Sequence, residues 1–196
     1  VWLRDTGPLV VEREGRAVAR RFGFNGWGGK YLMDGDQEIG AELAASAGLP
    51  VATADWVLEG GALDCDGTGL VVTTEQCLLN PNRNPQLTRS GIEGRLARDL
   101  GFDRVLWLGD GLINDHTDGH VDNLARFVAP GVLALPRATG ANDPNAEIFA
   151  DAKARAEAFG VTVREVPSPG RVETGGRIEP ASYMNFAVTS HLVVVP

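Results

Sequence analysis

Residues 115–127, Asp115-His116-Thr117-Asp118-Gly119-His120-Val121-Asp122-Asn123-Leu124-Ala125-Arg126-Phe127, place two histidines and three aspartates within their first eight positions. An apolar run follows at once, Phe127-Val128-Ala129-Pro130-Gly131-Val132-Leu133-Ala134-Leu135-Pro136. It reads as a strand, a Pro-Gly turn and a second strand. The acid-imidazole cluster therefore stands at the mouth of a hairpin, where a rigid scaffold can hold reacting groups. A histidine beside a carboxylate is the usual equipment for general acid–base chemistry. Plainer readings of the same residues are a loop ion-pair network, or metal ligation by the pair His116 and His120. The rest of the chain decides between them by repeating the plan.

Upstream, Leu9-Val10-Val11 and Ala17-Val18-Ala19 form a hairpin about a turn at Arg13-Glu14-Gly15. Phe22 to Tyr31 is an aromatic-glycine loop, suited either to a pocket wall or to a turn-rich connector with core aromatics. Asp36 to Ala47 is a short amphipathic helix stopped by Gly48, and Val51 to Ala54 is extended. The second hairpin runs from Trp56-Val57-Leu58-Glu59 through the turn Asp66-Gly67-Thr68-Gly69 into Leu70 to Thr74. Glu59 lies in an apolar segment, where a lone carboxylate is costly unless paired or catalytic. Ser90 to Leu100 has helical spacing, with Ser90 as N-cap and Glu93 at the capping-box position. Val105 to Leu108 is a buried strand.

Downstream, Asn145 to Phe159 is the clearest helix, its apolar face Ile148, Phe149, Ala152, Ala156 and Phe159. Val161 to Val166 alternates as a strand, and Glu173 to Glu179 reads as a polar loop. A last hairpin joins Tyr183–Val188 to Leu192–Val195 through Thr189-Ser190-His191.

The four hairpins each open on a polar residue, Asp5, Glu59, His120 and Asn185, at steps of 54, 61 and 65 positions. Between hairpins two to four lie a helix and a further strand. The unit is ββαβ and recurs at a nearly constant period, which makes the chain α/β and repetitive. A cyclic array of such units points the mouths at one centre. Asp5, Glu59, His120, Asp122 and Asn185 would converge there. Three carboxylates and a histidine suit a cation with several N–H donors, and a guanidinium pairs with carboxylates in bidentate fashion.

Composition bounds the alternatives. With 196 residues, 43% of them hydrophobic, the chain can bury a core. A net charge of -8 argues against a nucleic-acid groove and an anionic membrane surface, and fits a cationic small substrate. The apolar stretches are strand-sized and no signal peptide is evident, so a cytoplasmic protein is the simplest expectation. Two cysteines, Cys65 and Cys77, cannot make a disulfide framework. The chain opens inside a patterned segment at Val1 and stops at Pro196 directly after an apolar run. That pattern suggests a piece of a longer protein, one that would be prone to aggregate alone.

Several motifs resemble one family. They are Trp2-Leu3-Arg4-Asp5-Thr6-Gly7-Pro8, Leu58-Glu59-Gly60-Gly61, Cys77-Leu78-Leu79-Asn80-Pro81-Asn82-Arg83-Asn84-Pro85, Thr117 to Phe127, and Pro180-Ala181-Ser182-Tyr183-Met184-Asn185-Phe186. In this order they look like agmatine deiminase, the bacterial peptidylarginine deiminase type of the guanidino-group-modifying superfamily. The resemblance runs from end to end of the chain. It implies the pentein fold, a five-bladed α/β propeller of which these repeats would form an incomplete ring, within one domain spanning 1–196 and truncated at both ends. It implies hydrolytic deimination of agmatine to N-carbamoylputrescine and ammonia by a cysteine thiolate, with no metal or organic cofactor. Residue by residue, it makes Asp5 and Asp122 the carboxylates that grip the guanidinium, and His120 the acid–base residue. It puts Trp2 against the substrate's methylenes and Glu59, Asp118 and Asn185 on the wall of the site.

The family's nucleophile lies in a glycine-rich segment ending in His-Cys, which these 196 residues do not contain. Cys65 sits between two acids that would raise its pKa, and Cys77 reads as structural. The chain alone is therefore expected to be inactive. His116 stands where the family pattern leads one to expect an acid, which leaves open agmatine against another guanidine. A peptidylarginine deiminase, an amidinotransferase, a non-catalytic guanidine-binding module and a metal-dependent hydrolase remain as alternatives. The partner is a small cationic guanidine, with a homo-oligomer left open.

Overall fold

The computed structural model describes residues 2–189 and 191–195, so Ser190 of the last turn lies outside the described residues, as do Val1 and Pro196. The chain divides into two compact units, one formed by residues 1–62 and 78–103 and the other by 63–77 and 104–196.

The first unit is built on a three-stranded sheet, β1 (Leu9–Arg13), β2 (Arg16–Gly23) and β3 (Val51–Val57), in that order. β1 and β2 are antiparallel and close with Arg13 opposite Arg16. The two residues between them, Glu14 (φ 52°) and Gly15 (φ 72°), are both left-handed, the backbone that matches the twist of a tight hairpin. The helix Ile39–Ser46 then returns the chain to β3, parallel to β2. Trp56 and Leu58 belong to this strand end and its exit rather than to the second hairpin, because β3 continues to Val57. Phe22 meets Trp56 edge-on at 5.5 Å. The Trp56 indole N–H donates to Asp99 Oδ2 at 2.9 Å, and Asp99 also pairs with Arg20 and Arg98. Burial alone would raise the Asp99 carboxyl, but its bonds to Arg98 and Trp56 and the nearby Arg20 hold it below the usual carboxylate range.

Asp99 lies near the end of the helix Arg89–Leu100. Its cap is Thr88, whose Oγ1 accepts from Gly91 N at 3.2 Å, and not Ser90. The two hydroxyls lie two positions apart; Ser90 is already inside the helix, and Thr88 has the extended backbone (φ -87°, ψ 169°) that a cap needs. Gly101 (φ 79°) ends the helix in the left-handed region.

The second unit carries two more three-stranded sheets. One joins β4 (Asp64–Cys65), β5 (Leu70–Thr74) and β6 (Arg104–Leu108); the other joins β7 (Arg126–Ala129), β8 (Val132–Arg137) and β9 (Thr162–Pro167). Each repeats the plan of the first sheet, an antiparallel pair followed by a parallel third strand. Among the described residues the ββαβ unit is thus present three times. The helix Ala146–Phe159 links β8 to β9 and buries Phe149, Ala152 and Ala156, while Phe159 at its C-terminal end is exposed. Two short ribbons complete the unit. β10 (Glu173–Thr174) pairs with β11 (Arg177–Ile178) in the segment read as a loop, and β12 (Ala187–Val188) pairs with β13 (Val193–Val194) as the fourth hairpin. β10 and β11 are charged and too short for an apolar alternation to announce them. The core of this unit gathers Leu70, Val72, Leu106, Leu108, Phe127, Leu133, Leu135 and Phe149. Among the described residues no helix is long and apolar enough to cross a membrane.

Candidate active site

In the first unit the site residues rest on a four-residue helical turn, Leu3–Thr6. Asp5 is 8% exposed, and both of its oxygens are engaged. Oδ2 accepts from the indole N–H of Trp27 at 3.0 Å, and Oδ1 from the backbone N–H of Gly61 at 2.8 Å. Trp27, with φ 54°, is part of the aromatic-glycine loop, and Phe24 meets it edge-on at 4.9 Å. That loop supplies a donor that orients a carboxylate. Trp2, at 63% exposure, is open to solvent.

Glu59 follows β3 and is wholly buried. Its Oε1 accepts from Arg83 Nε at 2.8 Å, with both side chains sealed from solvent. Burial pushes the Glu59 carboxyl above the usual range; Arg83 opposes this and Asp5 adds to it. Oε2 has no hydrogen-bond partner among the described residues, so a second acceptor is held ready in the same buried place. Arg83 was not singled out by sequence, although a carboxylate in an apolar segment calls for a cation. It arrives on the 80–85 loop, which Asn84 ties to β3 by accepting from Val57 N and donating to Val57 O, both at 2.9 Å.

In the second unit the stretch 115–127 is anchored by its apolar residues: Val121, Leu124 and Ala125 are fully buried in the core. Their insertion carries the neighbouring polar side chains inside. His120 is 1% exposed and Asp122 3%, within and beside a 3-10 turn at Val121–Asn123. Asp118 (φ 61°) and Gly119 (φ 81°) make the left-handed step that delivers His120. A Cβ on Gly119 would overlap Gln76 Oε1, and one on Gly111 would overlap Gly119 itself, so this crossing needs glycine on both sides. Thr74 at the end of β5 donates its hydroxyl to Gly119 O at 2.6 Å. Asp118 is half-buried and His116 is exposed, so the two imidazoles of the HxxxH pair occupy different surroundings.

Sequence reasoning missed the bonds that hold this stretch. Asp115 Oδ1 accepts from Thr117 N at 2.9 Å and from Thr117 Oγ1 at 2.7 Å; that hydroxyl oxygen accepts from His120 N at 3.1 Å. Asp115 Oδ2 accepts from Asn123 Nδ2 at 3.2 Å. Asn185 donates to Asn123 Oδ1 at 3.1 Å, and Ser182 donates to Asn123 O at 2.7 Å. Arg126 pairs with Asp64 at 3.2 Å and lies over the Phe186 ring at 5.9 Å.

Within the first unit, then, the structure brings Asp5 and Glu59 into one buried polar group. Within the second it gathers His120, Asp122, Asp118 and, through Asn123, Asn185. These features define an α/β protein of repeated ββαβ units whose hairpin approaches carry buried carboxylates and a buried histidine. A family model described as Porphyromonas-type peptidyl-arginine deiminase matches residues 1–196. The chain belongs to that family.

Two relatives described as agmatine deiminase illustrate it. That of Pseudomonas fluorescens (strain SBW25) is 36% identical over 230 residues, and that of Stutzerimonas stutzeri (strain A1501) 37% over 233 residues. Each alignment takes in 100% of this chain and 61% of the relative. Among solved structures, a C. jejuni agmatine deiminase with substrate bound superposes with a TM-score of 0.92 at 31% identity, covering 100% of this chain and 59% of that one. The agmatine deiminase of Enterococcus faecalis gives 0.90 at 35% identity, covering 100% and 62%. The chain thus spans about three-fifths of the length of these relatives.

Proposed function

We propose that this chain serves the hydrolytic deimination of agmatine, giving N-carbamoylputrescine and ammonia. The observation that carries the reading is the burial of His120, Asp122 and Asp5, three ionisable groups on motifs that resemble agmatine deiminase. Burying an ionisable group is costly unless it is paired or used, so such groups on these motifs mark a candidate site. Asp5 and Asp122 grip the N–H groups of the guanidinium, and Asp5, locked by Trp27 and Gly61, holds one fixed orientation. Trp2 covers the methylenes, and Glu59, Asp118 and Asn185 line the site. The repeats are blades of a five-bladed propeller, and residues 1–196 belong to one agmatine deiminase-like domain.

In the reaction a cysteine thiolate adds to the guanidinium carbon. The carbon–nitrogen bond breaks, and His120 gives its proton to the departing ammonia. His120 then takes a proton from water as the water oxygen bonds the same carbon, and the carbon–sulfur bond breaks to release the ureido product and the thiolate. The nucleophile is neither cysteine of these 196 residues. Although Cys65 lies at the surface, desolvation of its sulfur, together with Asp64 and Asp66, pushes the thiol up, against what a nucleophile needs. Cys77 is buried in the short turn Glu75–Leu78 with its backbone N–H on Thr74. Residues 1–196 alone should therefore release no ammonia from agmatine.

The test is ammonia release by the protein expressed from its complete reading frame, with agmatine, free arginine and an arginine peptide compared. Agmatine should give the largest kcat/KM. Preference for the peptide or for arginine would overturn the substrate assignment, and no release from any guanidine would overturn the reaction.

A further inference from the structure

Asp115 closes a ring of hydrogen bonds around the segment that bears the acid–base residue. One of its oxygens receives Thr117, whose hydroxyl oxygen holds the backbone N–H of His120 at 3.1 Å. The other receives the amide of Asn123 at 3.2 Å. His120-Val121-Asp122 therefore lies between two points fixed to the same carboxylate. The far side of the ring is fixed in turn, because Asn123 takes bonds from both Ser182 and Asn185. Val121 locks the middle of the segment in the core.

We infer that Asp115 is a positioning residue for the deimination chemistry, setting His120 and Asp122 in register through Thr117 and Asn123 without touching the substrate. The inference rests on the function proposed above. The arrangement demands an acceptor at both ends of the Asp115 side chain. A carboxylate offers two acceptors, whereas an amide at 115 offers one and would set its NH2 against the NH2 of Asn123. Exchanging the two residues restores every bond: an Asn at 115 donates to an Asp at 123, whose second oxygen still accepts from Asn185. The geometry thus specifies a rescue that bulk stability would not.

The experiment uses the protein from the complete reading frame. Asp115→Asn should lower kcat for agmatine roughly 10- to 100-fold, the loss expected when reacting groups drift by about an ångström, with KM changed less than about threefold. The exchange D115N/N123D should return kcat to within about fivefold of the parent. Asn185→Ala, which removes the outer bond of the ring along with a side chain that lines the site, should cost a few-fold. An unchanged kcat in D115N, or a loss that the exchange does not relieve, overturns the inference. A second measurement is independent of turnover. In Asp115→Ala the amides of Thr117 and His120 should exchange with deuterium at least about tenfold faster, while those of the helix 146–159 keep their protection. If the helix loses protection too, Asn185→Ala carries this arm, with faster exchange at Asn123 and Leu124 as the expected result. Unchanged exchange overturns the inference even if the parent releases no ammonia, an outcome that sinks only the functional reading.

Discussion

Replacing Arg83 by Met tests whether the Glu59 carboxylate is held by that one cation. The pair is sealed from solvent, its 2.8 Å bond uses one carboxylate oxygen, and the other has no partner among the described residues. Met keeps most of the volume of the stem and removes the charge. Leaving a buried charge without its partner costs roughly 3–5 kcal/mol. Glu59 can escape part of this by taking up a proton. Burial already raises its carboxyl in the folded state, and loss of Arg83 removes the main opposing influence. A carboxyl raised in the folded state destabilises only where the unfolded chain ionises, above about pH 4, and the deficit grows as pH climbs toward the folded-state value. R83M should therefore be close to the parent near pH 4 and weakest at neutral pH. The double variant E59Q/R83M, with no charge to strand, should recover most of the loss. Urea unfolding followed by circular dichroism at pH 4, 5.5 and 7.5 measures all three. A deficit below about 1 kcal/mol at pH 7.5, or one that does not shrink on acidification, would refute the reasoning.

Further tests address other links. Asp99→Asn should flatten the acid limb of stability: the folded-state carboxyl is held low, so its contribution is present above the unfolded value and is lost as pH falls, as urea midpoints between pH 3 and 6 would register. Thr88→Ala should cost about 1 kcal/mol, the usual loss of a helix cap, whereas Ser90→Ala should be near neutral; equal effects in denaturation would contradict the assignment of Thr88. Gly119→Ala should cost about 1–3 kcal/mol for a left-handed residue and should sharply reduce turnover, because Gln76 and Gly111 must shift to admit it.

Much of the architecture can be read from periodicity. The hairpin at 126–137 and the helix at 146–159 are long, strongly patterned and bounded by Gly131 and Gly160, so local rules suffice. The first strand of the second hairpin is less legible. Trp56 and Val57 have strand character whichever partner they take, and only the parallel register of β3 against β2 assigns them. The cap at Thr88 rather than Ser90 is a choice between two hydroxyls two positions apart, settled by backbone geometry.

The candidate site is legible in residue types: the cluster at 115–122 announces itself, and the hairpin mouths offer Asp5, Glu59 and Asn185 as candidates. Its partners are not. Trp27 reaches Asp5 across 22 positions and Arg83 reaches Glu59 across 24. Asn185 reaches Asn123 across 62. Such pairings follow from how the loops return, which no local pattern records. The Asp115–Asn123 bond spans only eight positions, but in the sequence Asp115 reads as one more acid of the cluster, with nothing to mark it as a brace.

The most direct test of the central claim is a kinetic comparison of the parent with His120→Ala, Asp122→Asn and Asp5→Asn, in the protein from the complete reading frame, measuring ammonia and N-carbamoylputrescine from agmatine. The account predicts that both products form in equal amounts in the parent. It predicts that His120→Ala lowers kcat by about 10²–10⁴-fold, the usual contribution of a positioned acid–base group, while each Asp→Asn change lowers kcat/KM. A parent that releases no ammonia from agmatine, or a His120→Ala variant that turns over as fast as the parent, would contradict it.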